Sequence, residues 1–249
     1  MNKKLHTVKE VIISIIIFIC AWYLLSIILK SYFLPRPEIV LKTLVVLLVK
    51  GEITIHLIAS LKRTLLGFTL ALLAGSLTAY MLGLSKSIGK YFHPMIEFIR
   101  PIPPLAWIPL AIVWFGIGNG SAIFVIFIAT FFPIFTSTYF GVKTILNEHK
   151  RLKHHYQLNN IQYFTHIVFP HSLPYLLSGS KTGLGMSWMA VIAAEIIAAN
   201  TGLGYFIEIN RVLLNIEIVI ATMIIIGIIG YTMALILKYI ETKILYWVD

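Results

Sequence analysis

The sequence predicts an all-α, multi-spanning membrane protein with about six transmembrane helices, on the grounds of its composition and its apolar runs. Apolar residues make up 59% of the 249 residues, only 12% are charged, and the mean hydropathy is +0.90. A soluble domain carries about a quarter charged residues. The apolar residues gather in runs of about 20, the length that a helix needs to cross a bilayer. We therefore predict that residues 1–249 form a single transmembrane domain.

The first two predicted spans are separated by a polar stretch that contains prolines. The first span, Val11 to Leu29, is longer than the usual apolar core of a secretory signal, so we interpret it as a retained helix. Pro35 and Pro37 then introduce Ile39 to Val49, whose pattern is typical of a short amphipathic helix lying along the outer surface. The second predicted span runs from Thr64 to Leu84.

The second span carries Gly67, Ala71 and Gly75, which recur every four residues and therefore share one helical face. Small residues let two helices approach closely in lipid, where the hydrophobic driving force between helices is absent. This face is predicted to pack against another span.

The third apolar stretch, Pro94 to Phe115, cannot be a regular helix. It contains five prolines: Pro94, Pro101, Pro103, Pro104 and Pro109. Each proline removes a backbone donor and kinks a helix. Irregular backbone at membrane depth is tolerated only where protein buries it or water reaches it. This stretch is therefore the first indication of a solute pathway.

The remaining apolar runs predict three spans: Ser121–Val142, Leu177–Ala199 and Ile216–Tyr239. Residues 143–176 between the fourth and fifth spans are rich in Lys, Arg and His. Cytoplasmic connections collect Lys and Arg. Six spans that start inside place this loop and both termini in the cytoplasm.

Other classes of function find no support in the sequence. The net charge of +10 comes from Lys and Arg between apolar runs, without a nucleic-acid-reading motif, so no nucleic acid is expected. The single cysteine, Cys20, excludes an intrachain disulfide. The chain lacks a phosphate-binding Gly-rich loop and paired catalytic groups, so we expect no enzyme activity, cofactor or metal. The loop histidines are interpreted as solvated surface.

Glu195 is the most informative charge, because it lies within the fifth predicted span. An ionisable group in a span is costly and usually faces a bundle interior or water. Two interpretations stay open: Glu195 lines a pathway, or it lies near the outer end, where it snorkels or hydrogen-bonds to a neighbouring helix. Two interpretations also stay open for Lys62, Arg63 and Arg100. They anchor the helices at the membrane interface, or their positive charge attracts anions to the pathway.

Two segments resemble a known family. They are Arg100-Pro-Ile-Pro-Pro-Leu-Ala-Trp-Ile-Pro-Leu-Ala-Ile-Val-Trp-Phe-Gly-Ile-Gly118 and the segment from Trp188 to Gly204, with Glu195 between paired alanines. They resemble the inner-membrane permeases of binding-protein-dependent ABC importers, in the sulfonate, taurine and nitrate group. The resemblance implies a type I ABC importer-like fold, a location in the inner membrane of a bacterial cell and a small anionic solute. The alternatives are a thiamine-precursor pyrimidine as solute, or a self-sufficient channel or ion-coupled secondary transporter.

The resemblance also implies a helix before the fifth span that docks onto an ATPase subunit. Ile167 to Pro170 match the end of the family's docking signature, but Arg151, Leu152 and Lys153 replace its Glu-Ala-Ala and Gln157 replaces its glycine. The implied ATPase-coupling residues are Tyr156, Leu158, Asn159, Ile161, Gln162, Phe164 and Pro170.

Partners and pathway residues follow from the same resemblance. The expected partners are two ABC ATPase subunits, which bind the ATP, a second permease chain in a homodimer, an extracytoplasmic solute-binding protein and the lipid bilayer. The implied translocation pathway residues are Arg100, Pro103, Trp107, Trp188 and Glu195.

Overall fold

The computed structural model describes residues 2–28, 33–145, 153 and 155–247, and the side chains of residues 2–12, 15 and 86 lie outside that description. The described residues form helices and no strand, as predicted. The helices are α1 (Asn2–Ile28), α2 (Pro37–Lys50), α3 (Glu52–Leu84), α4 (Lys86–Ile99), α5 (Ile108–Phe115), α6 (Asn119–Lys143), α7 (Asn160–Tyr163), α8 (Phe169–Ala198), α9 (Leu203–Val212) and α10 (Ile216–Ile244). A 3-10 turn, Pro104–Trp107, precedes α5, and a π-helical turn, Phe164–Val168, joins α7 to α8.

Four helical runs in the described part of the chain are long and apolar enough to cross a membrane: α3, α6, α10 and the run Asn160–Ala198 that contains α7 and α8. The pair formed by α4 and α5 adds a fifth if it counts as one bent span. The first predicted span coincides with α1, whose described apolar part is Ile16–Ile28, shorter than a span. The rest of that prediction falls largely on side chains outside the description, so the span Val11 to Leu29 stays a prediction.

Two predicted boundaries are wrong, both at the start of a helix. The second span was expected from Thr64, but α3 begins at Glu52, after Gly51 has ended α2 with a left-handed φ of 72°. The fifth was expected from Leu177, but α8 begins at Phe169, so helix extends into the predicted loop 143–176. At the start of α8 a packing partner satisfies a polar residue, because Ser172 Oγ lies 2.9 Å from Tyr80 Oη of α3.

The small-residue face of α3 packs against α6, as predicted. A Cβ atom on Gly67 would lie 2.5 Å from Ile126 Cγ2, and one on Gly75 would lie 3.2 Å from the Phe131 carbonyl oxygen. On α8, Gly179 makes a similarly close approach to α6 at Pro133. Helix α6 therefore lies between α3 and α8, with which it makes its most extensive contacts.

The third predicted span is broken, as its prolines indicated. Helices α4 and α5 are bent by 92° relative to each other. Pro94 lies inside α4 and Pro109 lies in the first turn of α5. Between the helices Ile102 and Leu105 are exposed on the surface of the chain. This irregular segment borders the cavity described below.

Candidate functional site

A buried ion pair joins α3 to α8. Arg63 Nη1 lies 2.7 Å from Glu195 Oε1, and the two residues are only 4% and 0% exposed. Removing two charges from water is costly unless their remaining donors and acceptors are also satisfied. The surrounding hydrogen bonds therefore decide whether this pair is stable.

Three groups donate hydrogen bonds to the Glu195 carboxylate: the Arg63 guanidinium, the Ser60 hydroxyl and the Gly204 N–H. Ser60 Oγ lies 2.9 and 2.8 Å from the two carboxylate oxygens and donates to them. The Gly204 N–H donates to Oε2 at 3.0 Å. Ser60 Oγ also accepts from the Leu203 N–H at 2.8 Å, so one hydroxyl links α3 to both α8 and the start of α9.

Arg63 uses its other donors to hold the neighbouring turns. Its Nε donates to Asn119 Oδ1 at 2.7 Å, at the start of α6. Its Nη1 and Nη2 donate to the Thr201 carbonyl oxygen at 2.6 Å and to Thr201 Oγ1 at 2.7 Å. The cluster thus ties one end of α3, the start of α6, the end of α8 and the start of α9 into one unit.

The structure places Glu195 differently from the pathway interpretation. Glu195 is enclosed by protein and lines none of the cavities described for this chain, so the geometry matches the alternative of a carboxylate bonded to a neighbouring helix. Arg63 is buried beside Glu195 and Lys62 is exposed, and both residues line a second cavity of about 440 Å³. The signal available in the sequence was an acidic residue inside the fifth predicted span and a basic residue directly before the second.

Gly202 supports this cluster, because no side chain fits there. Its φ is +116°, and a Cβ atom would overlap the Glu195 carboxylate. We expect Gly202→Ala to lower the free energy of unfolding by about 3 kcal/mol, from backbone strain and steric overlap together. Unfolding by denaturing detergent measures this. Gly227→Ala in α10, where a Cβ meets open space, is the control and should be nearly neutral.

A cavity of about 580 Å³ opens between the irregular segment, α6 and α8. Arg100 is its cation, and most of the other lining groups are apolar or hydroxyl-bearing. The lining residues are Arg100, Ile102, Pro104, Ile128, Ala129, Phe132, Pro133, Thr136, Ser137, Phe140, Ser178, Gly179, Thr182 and Met186. An apolar cavity with a few polar groups is typical of a solute-binding site.

Arg100 is paired at the cavity with Glu97, one turn earlier in α4. Its Nη1 lies 3.1 and 3.0 Å from the two Glu97 carboxylate oxygens. His93 Nε2 lies 4.0 Å from the same carboxylate, and its ring stacks on Tyr139 at 4.3 Å. Both members of the Arg100–Glu97 pair are partly open to solvent, so the pair is screened.

The other predicted pathway residues are dispersed. Pro103 is exposed and adjoins the lining residue Pro104. Trp107 packs edge-on against Phe124, and its Nε1 is enclosed without a hydrogen-bond partner among the described residues. Trp188 faces α10 instead of the cavity, because its Nε1 donates to the Ile226 carbonyl oxygen at 3.0 Å. Of the five, the structure places only Arg100 in the cavity wall.

The predicted coupling segment begins with a helix end. The Leu158 N–H donates to the Lys153 carbonyl oxygen at 3.0 Å, and Gln157 has a φ of +48°, the pattern of a Schellman motif. Glycine is the usual residue in that conformation. Gln157 therefore occupies the conformation expected at the position where the resemblance implies a glycine.

A capping box then starts the next helix. Asn159 Oδ1 accepts from the Gln162 N–H at 2.8 Å, and Gln162 Oε1 accepts from the Asn159 N–H at 3.0 Å. This reciprocal cap begins α7, which continues through the π-helical turn into α8. Pro170 follows the π-helical turn directly, within the continuous helical run, where it cannot donate a backbone hydrogen bond. The segment is thereby joined rigidly to a spanning helix.

The apolar residues of this segment divide into two groups. Tyr156 and Ile161 are exposed, at 66% and 74%. Phe164 is half-buried and packs edge-on against Tyr80 of α3 at 5.1 Å, and Leu158 is half-buried as well. Tyr156 and Ile161 are therefore available to a partner, whereas Phe164 anchors the segment to the bundle.

The described residues include no group of three or more His, Cys, Asp or Glu that could hold a metal ion. Of the loop histidines, His149 and His154 lie outside the described residues, and His155 is exposed. The expectation that this chain binds no metal or nucleotide stays a prediction.

Comparison with known proteins gives a consistent result. Residues 67–246 match the family described as binding-protein-dependent transport system inner membrane component. A putative ABC transporter permease protein of Methanocaldococcus jannaschii is 37% identical, covering 99% of this chain and 96% of the relative. The taurine transport system permease protein TauC of Escherichia coli is 31% identical, covering 99% and 97%. The nitrate import permease protein NrtB of Synechococcus elongatus is 34% identical, covering 83% and 77%.

These relatives are transport permeases that match nearly the whole chain, and the helices and family match reported above agree with them. The chain therefore belongs to the inner-membrane permease components of binding-protein-dependent ABC transport systems.

Proposed function

We propose that this protein is the transmembrane subunit of an ATP-driven importer for a small anionic solute such as taurine, an aliphatic sulfonate or nitrate. The observation that carries the proposal is the extent of the likeness to TauC and NrtB, whose names specify taurine and nitrate. The Arg100 cavity supports it, since a cation in an otherwise neutral, partly hydroxyl-lined cavity favours an anion.

A second permease chain completes the pathway in this proposal. The segment between α4 and α5 exposes Ile102 and Leu105, and its backbone is irregular apart from the 3-10 turn Pro104–Trp107. Lipid does not tolerate such backbone, whereas a protein partner or a water-filled pathway does. The cavity adjoins this segment, so a homodimer would place two cavities around a shared pathway.

The energy source in this proposal is a pair of ATPase subunits at the inner side. Exposed Tyr156 and Ile161 offer them apolar anchors, and continuous helix from Asn160 to Ala198 transmits their movement to the cavity wall. An external binding protein delivers the solute, and both termini and the coupling segment lie in the cytoplasm.

Reconstitution tests the proposal. The protein is purified with its ATPase and its binding protein, placed in proteoliposomes and supplied with ATP inside or outside the vesicles. We expect taurine or nitrate uptake that requires ATP and the binding protein. Uptake by the permease alone would instead indicate a self-sufficient channel or ion-coupled carrier. Uptake restricted to a neutral pyrimidine would contradict the anionic solute class.

A further inference from the structure

The Arg100 guanidinium is only partly used by the protein. Glu97 accepts from Nη1 alone, and among the described residues nothing accepts from Nε or Nη2. Arginine carries five N–H donors in a planar fork, whose Nε and Nη2 edge matches two oxygens of an oxyanion. Glu97 therefore orients the guanidinium while one binding edge stays open.

Hydroxyl groups on the other cavity walls are also available. Thr136 Oγ1 of α6 is enclosed and has no hydrogen-bond partner among the described residues. Ser178 of α8 is exposed, and its hydroxyl makes no hydrogen bond within the described part of the chain. Ser137 differs, because its hydroxyl donates to the Tyr175 carbonyl oxygen at 2.6 Å. Thr136 and Ser178 thus line the cavity from two helices with hydroxyls that have no partner among the described residues, and of these two residues only Ser178 is exposed.

We propose that this cavity contains an oxyanion subsite, in which the open edge of Arg100 binds a sulfonate or nitrate group and the hydroxyl of Ser178 binds one of its remaining oxygens, directly or through water. The cavity, at about 580 Å³, is large enough for such a solute with water. This inference rests on the proposed function and adds that the permease itself contacts and selects the anion.

The charge balance of the cavity explains why the anion is bound only transiently. Glu97 neutralises much of the Arg100 charge, and both side chains are partly solvated. A solute that must leave within a transport cycle cannot be bound too tightly. Glu97 is therefore a positioning residue that also limits the affinity of the subsite.

Arg100→Lys is the informative variant, because lysine keeps the charge but loses the planar fork. In proteoliposomes of the full complex with ATPase and binding protein, we expect taurine uptake to fall at least about tenfold. ATP hydrolysis stimulated by the loaded binding protein should remain within about twofold, because docking and delivery do not use this fork. Arg36→Lys is the matched control: its side chain is 46% exposed, against 47% for Arg100, and is also paired with a glutamate.

A binding measurement tests the subsite independently of transport. The melting temperature of the permease–ATPase complex, without its binding protein, is measured in the presence of methanesulfonate or of the neutral methanesulfonamide at constant ionic strength. We expect methanesulfonate to raise the melting temperature of the wild type but not of Arg100→Lys, with a smaller rise for Ser178→Ala. Ser178 has no described side-chain partner, so this second variant should fold normally.

The outcomes separate the two proposals. If the wild-type complex fails to transport taurine or nitrate, the proposed function fails, whatever the melting result. If it transports them and Arg100→Lys equals the wild type in both uptake and melting, the subsite is overturned while the function stands.

Discussion

Glu195→Ala is expected to destabilise this permease by about 3–5 kcal/mol, because it leaves Arg63 as an uncompensated buried cation. The variant also removes the acceptor for Ser60 Oγ and for the Gly204 N–H. Equilibrium unfolding in mixed micelles of a mild and a denaturing detergent measures the change in free energy.

Glu208→Ala is the matched control for that experiment. Glu208 also pairs with an arginine, Arg211, at 2.6 Å, but both side chains are substantially exposed. An exposed pair contributes about 0–1 kcal/mol, so this variant should unfold almost like the wild type. Equal stability of the Glu195 and Glu208 variants would contradict a structural role for the buried cluster.

A double variant separates the pair from its surroundings. Arg63→Met combined with Glu195→Leu removes both charges, so no buried charge is left unpaired. We expect the double variant to be at least about 2 kcal/mol more stable than the sum of the two single effects. Additive effects would show that the two side chains act separately.

Ile161→Asp is expected to weaken association with the ATPase subunits at least about 30-fold, as for an interface hot spot. The residue is 74% exposed in a rigidly capped helix, so the substitution removes an anchor without disturbing the bundle. Tyr156→Asp is expected to act in the same direction. Co-purification of the ATPase with the detergent-solubilised permease measures the effect.

Asn160→Asp is the control for charge, since it adds the same negative charge next to Ile161. Its position is exposed, and Lys153 Nζ already lies 2.7 Å from Asn160 Oδ1. It should associate almost normally. Phe164→Asp is unsuitable, because Phe164 packs against Tyr80 and its loss would also disturb the fold. Normal co-purification of both the Ile161 and Tyr156 variants would contradict the docking assignment.

Apolar content was sufficient to predict the spans that consist of one long apolar run. The fourth was predicted at Ser121–Val142 and forms Asn119–Lys143, and the sixth was predicted at Ile216–Tyr239 and forms Ile216–Ile244. The prolines between residues 94 and 109 were likewise sufficient to predict a broken span. In these segments the local sequence and the tertiary environment favour the same conformation.

The start of α3 could not be predicted in this way. Ser60, Lys62 and Arg63 read as a polar connection before an apolar run, yet they lie within the helix. Whether a buried arginine is tolerable depends on its partner, and Glu195 lies 132 residues further along the chain. Thr201 and Gly202 are also far from Arg63 in the sequence, so their part in the buried cluster could not be predicted either.

The sequence alone determined that this chain is a helical membrane protein with an interrupted span, because composition and proline placement act locally. Only the tertiary structure decided which ionisable groups are structural and which remain available. Arg63 and Glu195 satisfy each other inside the bundle, whereas Arg100 keeps an open edge at a cavity. That difference depends on which helices pack together, since a charge in a membrane protein is stable only beside its partner or water.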